Sequence, residues 1–144
     1  MIERTTNRDF ITACVTHPNS WNATTDDEWG SSELYFPPIN EDTIWLKAGD
    51  HGVFLVIKQN MVTYEVHGYF LPSIKGKSVE IGKDLIRWVF DNLPCKRLIT
   101  SVPNFNVESL RMIKKSGMTE YGVNPKSFQK DGVLYDQTLL GVSK

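Results

Sequence analysis

A mixed α/β (α+β) sheet fold is what this sequence predicts, on three observations. Residues 44–71 hold three strand-like runs in succession, separated by turn signals. The last run leads straight into a loop and an amphipathic helix, the order of an α/β unit. The tail is centred on Lys130-Asp131-Gly132, and Asp-Gly is a strong hairpin signal.

Size and composition bound the rest. With 144 residues, 40% hydrophobic and 23% charged, the chain is expected to form one globular domain, 1–144. A domain of this size buries roughly 70% of its unfolded surface and needs no staples. A net charge of -1 gives no global pull toward nucleic acid or a membrane surface. No apolar run approaches membrane-spanning length and no signal-peptide pattern is visible, so a cytoplasmic location is expected. Cys14 and Cys95 lie far apart with no CxxC partner and read as reduced, buried thiols. His17, His51 and His67 make no metal-spaced cluster, so no metal site is expected.

In chain order, residues 2–5 suit a short strand. Asn7 suits a helix N-cap, with Phe10, Ile11, Cys14 and Val15 at helical spacing after it. That helix should end near His17-Pro18, because the residue before a proline is pushed out of the helical region. Residues 19–42 form a polar, aromatic connection with room for a short helix near Asp26 to Trp29. A connection of this length is usually functional or flexible. Its aromatics either pin a surface loop to the core or make the segment a lid or acceptor-binding wall. Strands are expected at Ile44–Ala48, Val53–Lys58 and Met61–Leu71, with turns at 49–52 and at Gln59-Asn60. In the third strand, alternation puts Tyr64, Val66, Gly68 and Phe70 on one face, and Thr63, Glu65, His67 and Tyr69 on the other. A helix over about Val79–Leu93 carries an apolar stripe of Ile81, Leu85, Trp88 and Val89. Arg97–Val102 reads as a strand, and Asn104 or Asn106 can cap a helix over Val107–Ser116. Gly117 suits the residue just past that helix.

Three motifs carry a resemblance to a known family. The first is Phe70-Leu71-Pro72-Ser73-Ile74-Lys75-Gly76-Lys77-Ser78-Val79-Glu80, followed by Ile81-Gly82-Lys83-Asp84-Leu85-Ile86. The second is Asn106-Val107-Glu108-Ser109 with Lys115-Ser116-Gly117-Met118. The third is the tail from Lys126 to Gln137, ending Leu139-Leu140-Gly141. With the element order, these resemble the GNAT superfamily of N-acetyltransferases across nearly the whole chain, most strongly over Tyr64–Gly141. The spelling EVH before the loop and SVEIG within it looks most like small GNAT-like proteins encoded by bacteriophages. Family members carry V-x-P-x-x-R-G-x-G-x-G/A after the fourth strand. Ser78 and Glu80 depart from it, standing where small glycine positions belong. A register shifted by two matches the usual I-G-x-x-L-L, and the apolar spacing favours it. A carboxylate at Glu80 would repel a phosphate, or would compete for the same N–H groups as a helix cap. Many members also place a tyrosine acid seven residues after the asparagine, where this chain has Ile113.

The resemblance implies a GNAT-like fold: a central, mostly antiparallel sheet splayed beside an acyl-CoA-binding loop, with helices on both faces. It implies acetyl-CoA as co-substrate and an amine as acceptor. Backbone groups near Tyr69, Phe70 and Leu71 would run beside the pantetheine arm, and an N–H near Phe70 or Leu71 would polarise the thioester carbonyl. The loop of Lys75, Gly76, Lys77, Ser78, Val79, Glu80 and Gly82 would hold the pyrophosphate through its N–H groups. Asn106 would contact the cofactor or serve only as a helix cap. For the base, Glu65 and His67 share one strand face, and either acting through water suffices to take the proton of an amine. Ser109 is the candidate donor to the leaving thiolate. Each of these residues also has a plain structural reading, as a strand-surface or helix-cap group. The function implied is acetyl-CoA-dependent N-acyl transfer to a primary amine. The alternative is a GNAT-fold protein without catalysis that works by binding, such as a phage assembly or host-interaction factor. An open gap between the third and the Arg97–Val102 strands favours the enzyme; a gap plugged by Phe70 favours the binder. The terminal hairpin leaves an edge on which a homodimer could form.

Overall fold

A computed structural model describes residues 1–144. Its elements are β1 (Ile2–Arg4), α1 (Arg8–Thr16), α2 (Pro18–Thr24), β2 (Thr43–Ala48), β3 (Gly52–Lys58), β4 (Thr63–Phe70), α3 (Ser78–Asn92), β5 (Arg97–Pro103), α4 (Val107–Ser116), β6 (Thr119–Lys130) and β7 (Val133–Ser143). Single 3-10 turns sit at Ser32–Leu34 and Pro72–Ile74. The strands form one seven-stranded sheet in the order β1-β2-β3-β4-β5-β7-β6. Every neighbouring pair is antiparallel except β4 and β5, which run parallel. The α3 crossover between β4 and β5 makes that parallel pair, as the strand–loop–helix order predicts.

Helices cover both faces. On one, α3 buries Ile81, Leu85 and Val89 against Phe54, Val56, Tyr64, Val66 and Leu98. On the other, α1 buries Ile11, Cys14 and Val15 against Trp45, Val53 and Leu55. The central strand β3 is therefore apolar on both sides, and Val53 to Ile57 read as a continuous apolar run rather than an alternation. The predicted alternation in β4 holds, with Tyr64 and Val66 in the α3 layer and Tyr69 in the α1 layer. Both cysteines are buried and unpaired, one in each layer. No helix is long and apolar enough to cross a membrane.

Three local expectations need correction. The residues near Asp26 to Trp29 form a turn, not a helix. The helix lies earlier, at α2, directly after α1. His17 is extended (φ -56°, ψ 135°), as a pre-proline residue should be, and Pro18 then occupies the first helical turn, where a missing N–H costs nothing. The same dipeptide thus ends one helix and starts the next. Strand β4 is shorter than Met61–Leu71. Asn60 Oδ1 accepts from the N–H groups of Val62 and Thr63, so the turn extends past Gln59-Asn60 to Val62.

Candidate donor slot between two splayed strands

Strands β4 and β5 pair only over Thr63–Glu65 and Arg97–Ile99. Beyond Glu65 and Ile99 they diverge. The consequence for the β4 backbone follows from its other neighbour. Leu71 N donates to His51 O (2.9 Å) and Gln59 N donates to Thr63 O (2.9 Å). In an antiparallel pair every second residue exchanges bonds with the partner. The odd-numbered β4 residues therefore bond to β3, and Val66, Gly68 and Phe70 aim their N–H and C=O groups toward the gap. Two of those carbonyls are taken by side chains. Thr100 Oγ1 donates to Val66 O (2.7 Å) and Ser20 Oγ, on α2, donates to Phe70 O (2.9 Å). The backbone of Gly68 and the N–H of Phe70 face the open edge.

The gap continues into a cavity of about 70 Å³ under α3 and α4. Val66, Gly68 and Phe70 line one side and Thr100 the other. Gly82 on α3, with Ser109 and Ile113 on α4, completes the wall. Phe70 folds back over Gly68: a methyl placed on Gly68 would lie 2.6 Å from the Phe70 ring. The same ring meets Phe54 edge-on at 5.2 Å.

At the wide end of the gap, β4 runs into the Pro72–Ile74 turn and the N-terminus of α3. Gly76 has φ +80°, a left-handed conformation suited to glycine. The N–H groups of Gly76, Ser78, Val79 and Glu80 donate to no other group of the chain, and Lys77, the capping residue, makes no side-chain cap. These donors and the helix dipole form a positive pole with Lys75 and Lys77 beside it, both exposed. Glu80 does not cap these N–H groups. Its carboxylate is exposed and turns to Lys83 Nζ at 3.4 Å. In α3, Ile81 and Leu85 are buried while Lys83 is exposed, which matches the shifted I-G-x-x-L-L register. Gly82 lies outside the anion loop. A Cβ there would sit 2.2 Å from Ser116 Oγ, so this glycine lets α3 and α4 touch.

Glu65 and His67 are in contact: His67 Nε2 lies 2.8 Å from Glu65 Oε1. Gln59 Nε2 donates to the other carboxylate oxygen, also at 2.8 Å. The hydrogen bond from His67 holds the Glu65 carboxyl below its usual range, against the opposing effect of burial. Both residues project from the β4 face opposite the cavity. Glu65 is level with the last rung shared with β5 and His67 just past it, so the pair stands at the closed end of the gap. Tyr69 follows on the same face, against Trp45 at 6.1 Å. Burial pushes its phenol well above the usual range, with the nearby Tyr35 and Glu65 adding to the rise. Tyr35 itself is pushed up to about 12 by burial. It forms a cluster with Trp21 and Trp29, at ring separations of 5.7 to 6.1 Å.

The remaining predicted residues divide. Asn106 caps α4, its Oδ1 accepting from Ser109 N at 3.4 Å. Ser109 lines the cavity, and its hydroxyl makes no hydrogen bond within the chain. The Leu71 N–H is taken by His51, which leaves Phe70 as the free donor of the two. Gly68, Thr100 and Ser20 were not singled out from the sequence. A glycine inside an alternating strand is itself a signal of close backbone approach, and Gly68 fits that signal.

No protein-family model matches the chain, and no curated protein does. Solved structures do match. A spermidine N-acetyltransferase from Vibrio cholerae, in complex with CoA and spermine, aligns over 99% of this chain and 94% of its own, with TM-score 0.80 and 16% identity. A protein provisionally described as a phosphinothricin N-acetyltransferase aligns over 99% and 97%, with TM-score 0.73 and 21% identity. A microcin C7 self-immunity acetyltransferase, in complex with acetyl-CoA and AMP, aligns over 71% and 60%, with TM-score 0.59 and 22% identity. The chain therefore has the GNAT-like fold.

Proposed function

We propose that this protein is an acetyl-CoA-dependent N-acyltransferase that moves an acetyl group to a primary amine. The observation that carries the reading is the open edge of β4 leading away from the unpartnered N-terminus of α3. An extended donor arm with a diphosphate at one end needs both features. Residues 75–80 would bind the diphosphate, and the backbone of Gly68 and Phe70 would pair with the amide groups of the arm. A donor lying this way brings its thioester along the β4 edge, level with the free N–H groups of Gly68 and Phe70 and short of the closed end.

The chemistry then falls to groups already placed there. Glu65 and His67, through a water, take a proton from the acceptor ammonium. The free amine attacks the thioester carbon, and the N–H of Phe70 or Gly68 stabilises the charge that develops on the carbonyl oxygen. The attacking nitrogen gives its second proton to the same water, the carbon–sulfur bond breaks, and an amide and a thiolate result. Ser109, whose hydroxyl lines the cavity and makes no hydrogen bond within the chain, would pass that thiolate a proton, since the position of the family's tyrosine acid is Ile113. The acceptor would approach from the α1–α2 face, where Glu65, His67 and Tyr69 project. Ile113 and the Phe70 ring in the gap favour a second reading, a GNAT-fold protein that binds a partner without catalysis.

Calorimetric titration with acetyl-CoA tests the proposal, with Glu80→Gly alongside. Binding by wild type, followed by thiol release in the presence of an amine panel, supports it. Binding without thiol release for any amine supports the second reading. No binding by either protein defeats the donor site altogether.

A further inference from the structure

We infer that His51 is a positioning residue of the donor site, holding the stretch between the β4 edge and the α3 N-terminus in its binding shape; this rests on the donor reading above. His51 lies in the turn before β3, outside every motif that carries the family resemblance. It grips the stretch twice. Its backbone carbonyl accepts from Leu71 N at 2.9 Å, one step beyond the last β3–β4 pair, Gly52 with Phe70. Its ring Nδ1 lies 2.8 Å from Ser73 Oγ.

The first bond sets a direction. Successive residues of a strand present their N–H groups to opposite sides, so a Leu71 N–H fixed on His51 turns the N–H of Phe70 toward the gap. The second bond sets a place. Ser73 belongs to the Pro72–Ile74 turn, from which the chain passes directly to Lys75, Gly76 and Lys77. Ile74 reaches the α3-side core, but Ser73, Lys75, Gly76 and Lys77 are exposed, and apolar packing does not hold them. The turn's other backbone bonds are local: Ile74 N to Leu71 O, Lys75 N to Pro72 O and Lys77 N to Ile74 O. His51 is thus the residue remote in sequence that hydrogen-bonds to this stretch. Without its imidazole, α3 and the Leu71 bond stay in place, but the turn carrying the Gly76 N–H and both lysines is released. A donor must then order that turn as it binds, and its apparent affinity falls by the fraction of the time that the turn is already in place.

The test is calorimetric titration with free CoA of wild type, His51→Ala, Ser73→Ala, the double variant and His51→Asn. Asparagine puts a polar atom where Nδ1 stands and so keeps a partner for Ser73. His51→Ala and Ser73→Ala should each weaken CoA about five- to tenfold, the scale of one net hydrogen bond. The double variant should be no weaker than the weaker single variant, because both remove the same bond. His51→Asn should stay within about twofold of wild type. All are titrated where each is fully folded, so a general loss of stability leaves the affinities unchanged. Wild-type affinity in both alanine variants, additive losses in the double variant, or His51→Asn as weak as His51→Ala overturns the proposal and leaves the donor site standing. Failure of wild type to bind CoA overturns the donor reading, and this inference with it.

Discussion

At the scale of single residues, the site depends on two contacts. The first is the Glu65–His67 pair. The Glu65 carboxyl titrates lower in the folded protein than in an unfolded chain, chiefly because His67 donates to it. The sign follows. A depressed carboxyl pKa adds stability above the ordinary carboxylate range, and that stability is lost as pH falls through the lowered value. Glu65→Gln should therefore flatten the acid limb. Its urea midpoint should drop less than that of wild type between pH 7 and pH 3, and an equal drop would deny the pair this role. The second contact is Gly82 against Ser116. Gly82→Ala places a methyl 2.2 Å from Ser116 Oγ and 2.8 Å from its Cβ. Overpacking of this kind costs about 1–3 kcal/mol. Because Ser116 supplies both clashing atoms, Ser116→Gly in the Gly82→Ala background should restore part of the loss. A double-mutant cycle by urea denaturation reads that coupling. Additive effects would place the strain elsewhere.

At the scale of elements, local signals were legible and long-range ones were not. The Asn7 cap and the bounds of α4, Val107–Ser116, follow from residues within a turn of each end, and both stand as expected. Helix α2 was not legible. It has only seven residues and a single buried side chain, Ser20. It is held by the bond from Ser20 to Phe70 O, fifty positions away, and by Trp21 packing on the α1-side core. Ser20→Ala should cost about 1–3 kcal/mol by leaving that carbonyl without its partner. The terminal hairpin was legible from Asp131-Gly132, but its docking was not. Asp27 accepts from Asp131 N (2.8 Å), Gly132 N (3.0 Å) and Gln129 Nε2 (3.1 Å), and Lys130 Nζ reaches back to Thr25 O (2.7 Å). This clasp ties the tip of the hairpin to the connection after α2. The bond from Gly132 N is the largest of the causes that lower the Asp27 carboxyl, so the clasp is held by the ionised form and released as pH falls through that lowered value. Asp27→Ala should speed hydrogen exchange at the Asp131 and Gly132 amides without moving the midpoint of global unfolding. Unchanged exchange at both amides would show that the turn holds itself.

At the scale of the whole molecule, the sheet is the layer shared by two separate apolar clusters. The mixed α/β order was legible because each strand and helix announces itself locally. The splay was implied by the family resemblance and not by the residues taken singly, because it arises where β5 turns toward β7 while β4 continues along β3, a property of three pairings at once. Whether the two faces melt together is a further consequence of that shared layer. β3 contributes Val53 and Leu55 to one cluster and Phe54 and Val56 to the other. Losing either helical layer therefore exposes a strand that the other layer also needs, and we expect residues 1–144 to unfold as one unit. Ile11 and Leu85, almost fully buried on opposite faces, make the comparison. Ile11→Ala and Leu85→Ala should each cost about 2–5 kcal/mol. With Trp88, which packs on the α3 side, replaced by Phe in every protein compared, the fluorescence of Trp21, Trp29 and Trp45 reports the α1–α2 side, and far-UV circular dichroism reports all the helices. If the sheet couples the faces, both probes shift to one common midpoint in each variant. Two separated transitions in Ile11→Ala would instead mark the α1–α2 layer as a unit that opens alone. In that case, the face through which the acceptor is proposed to approach would also be the face that gives way first.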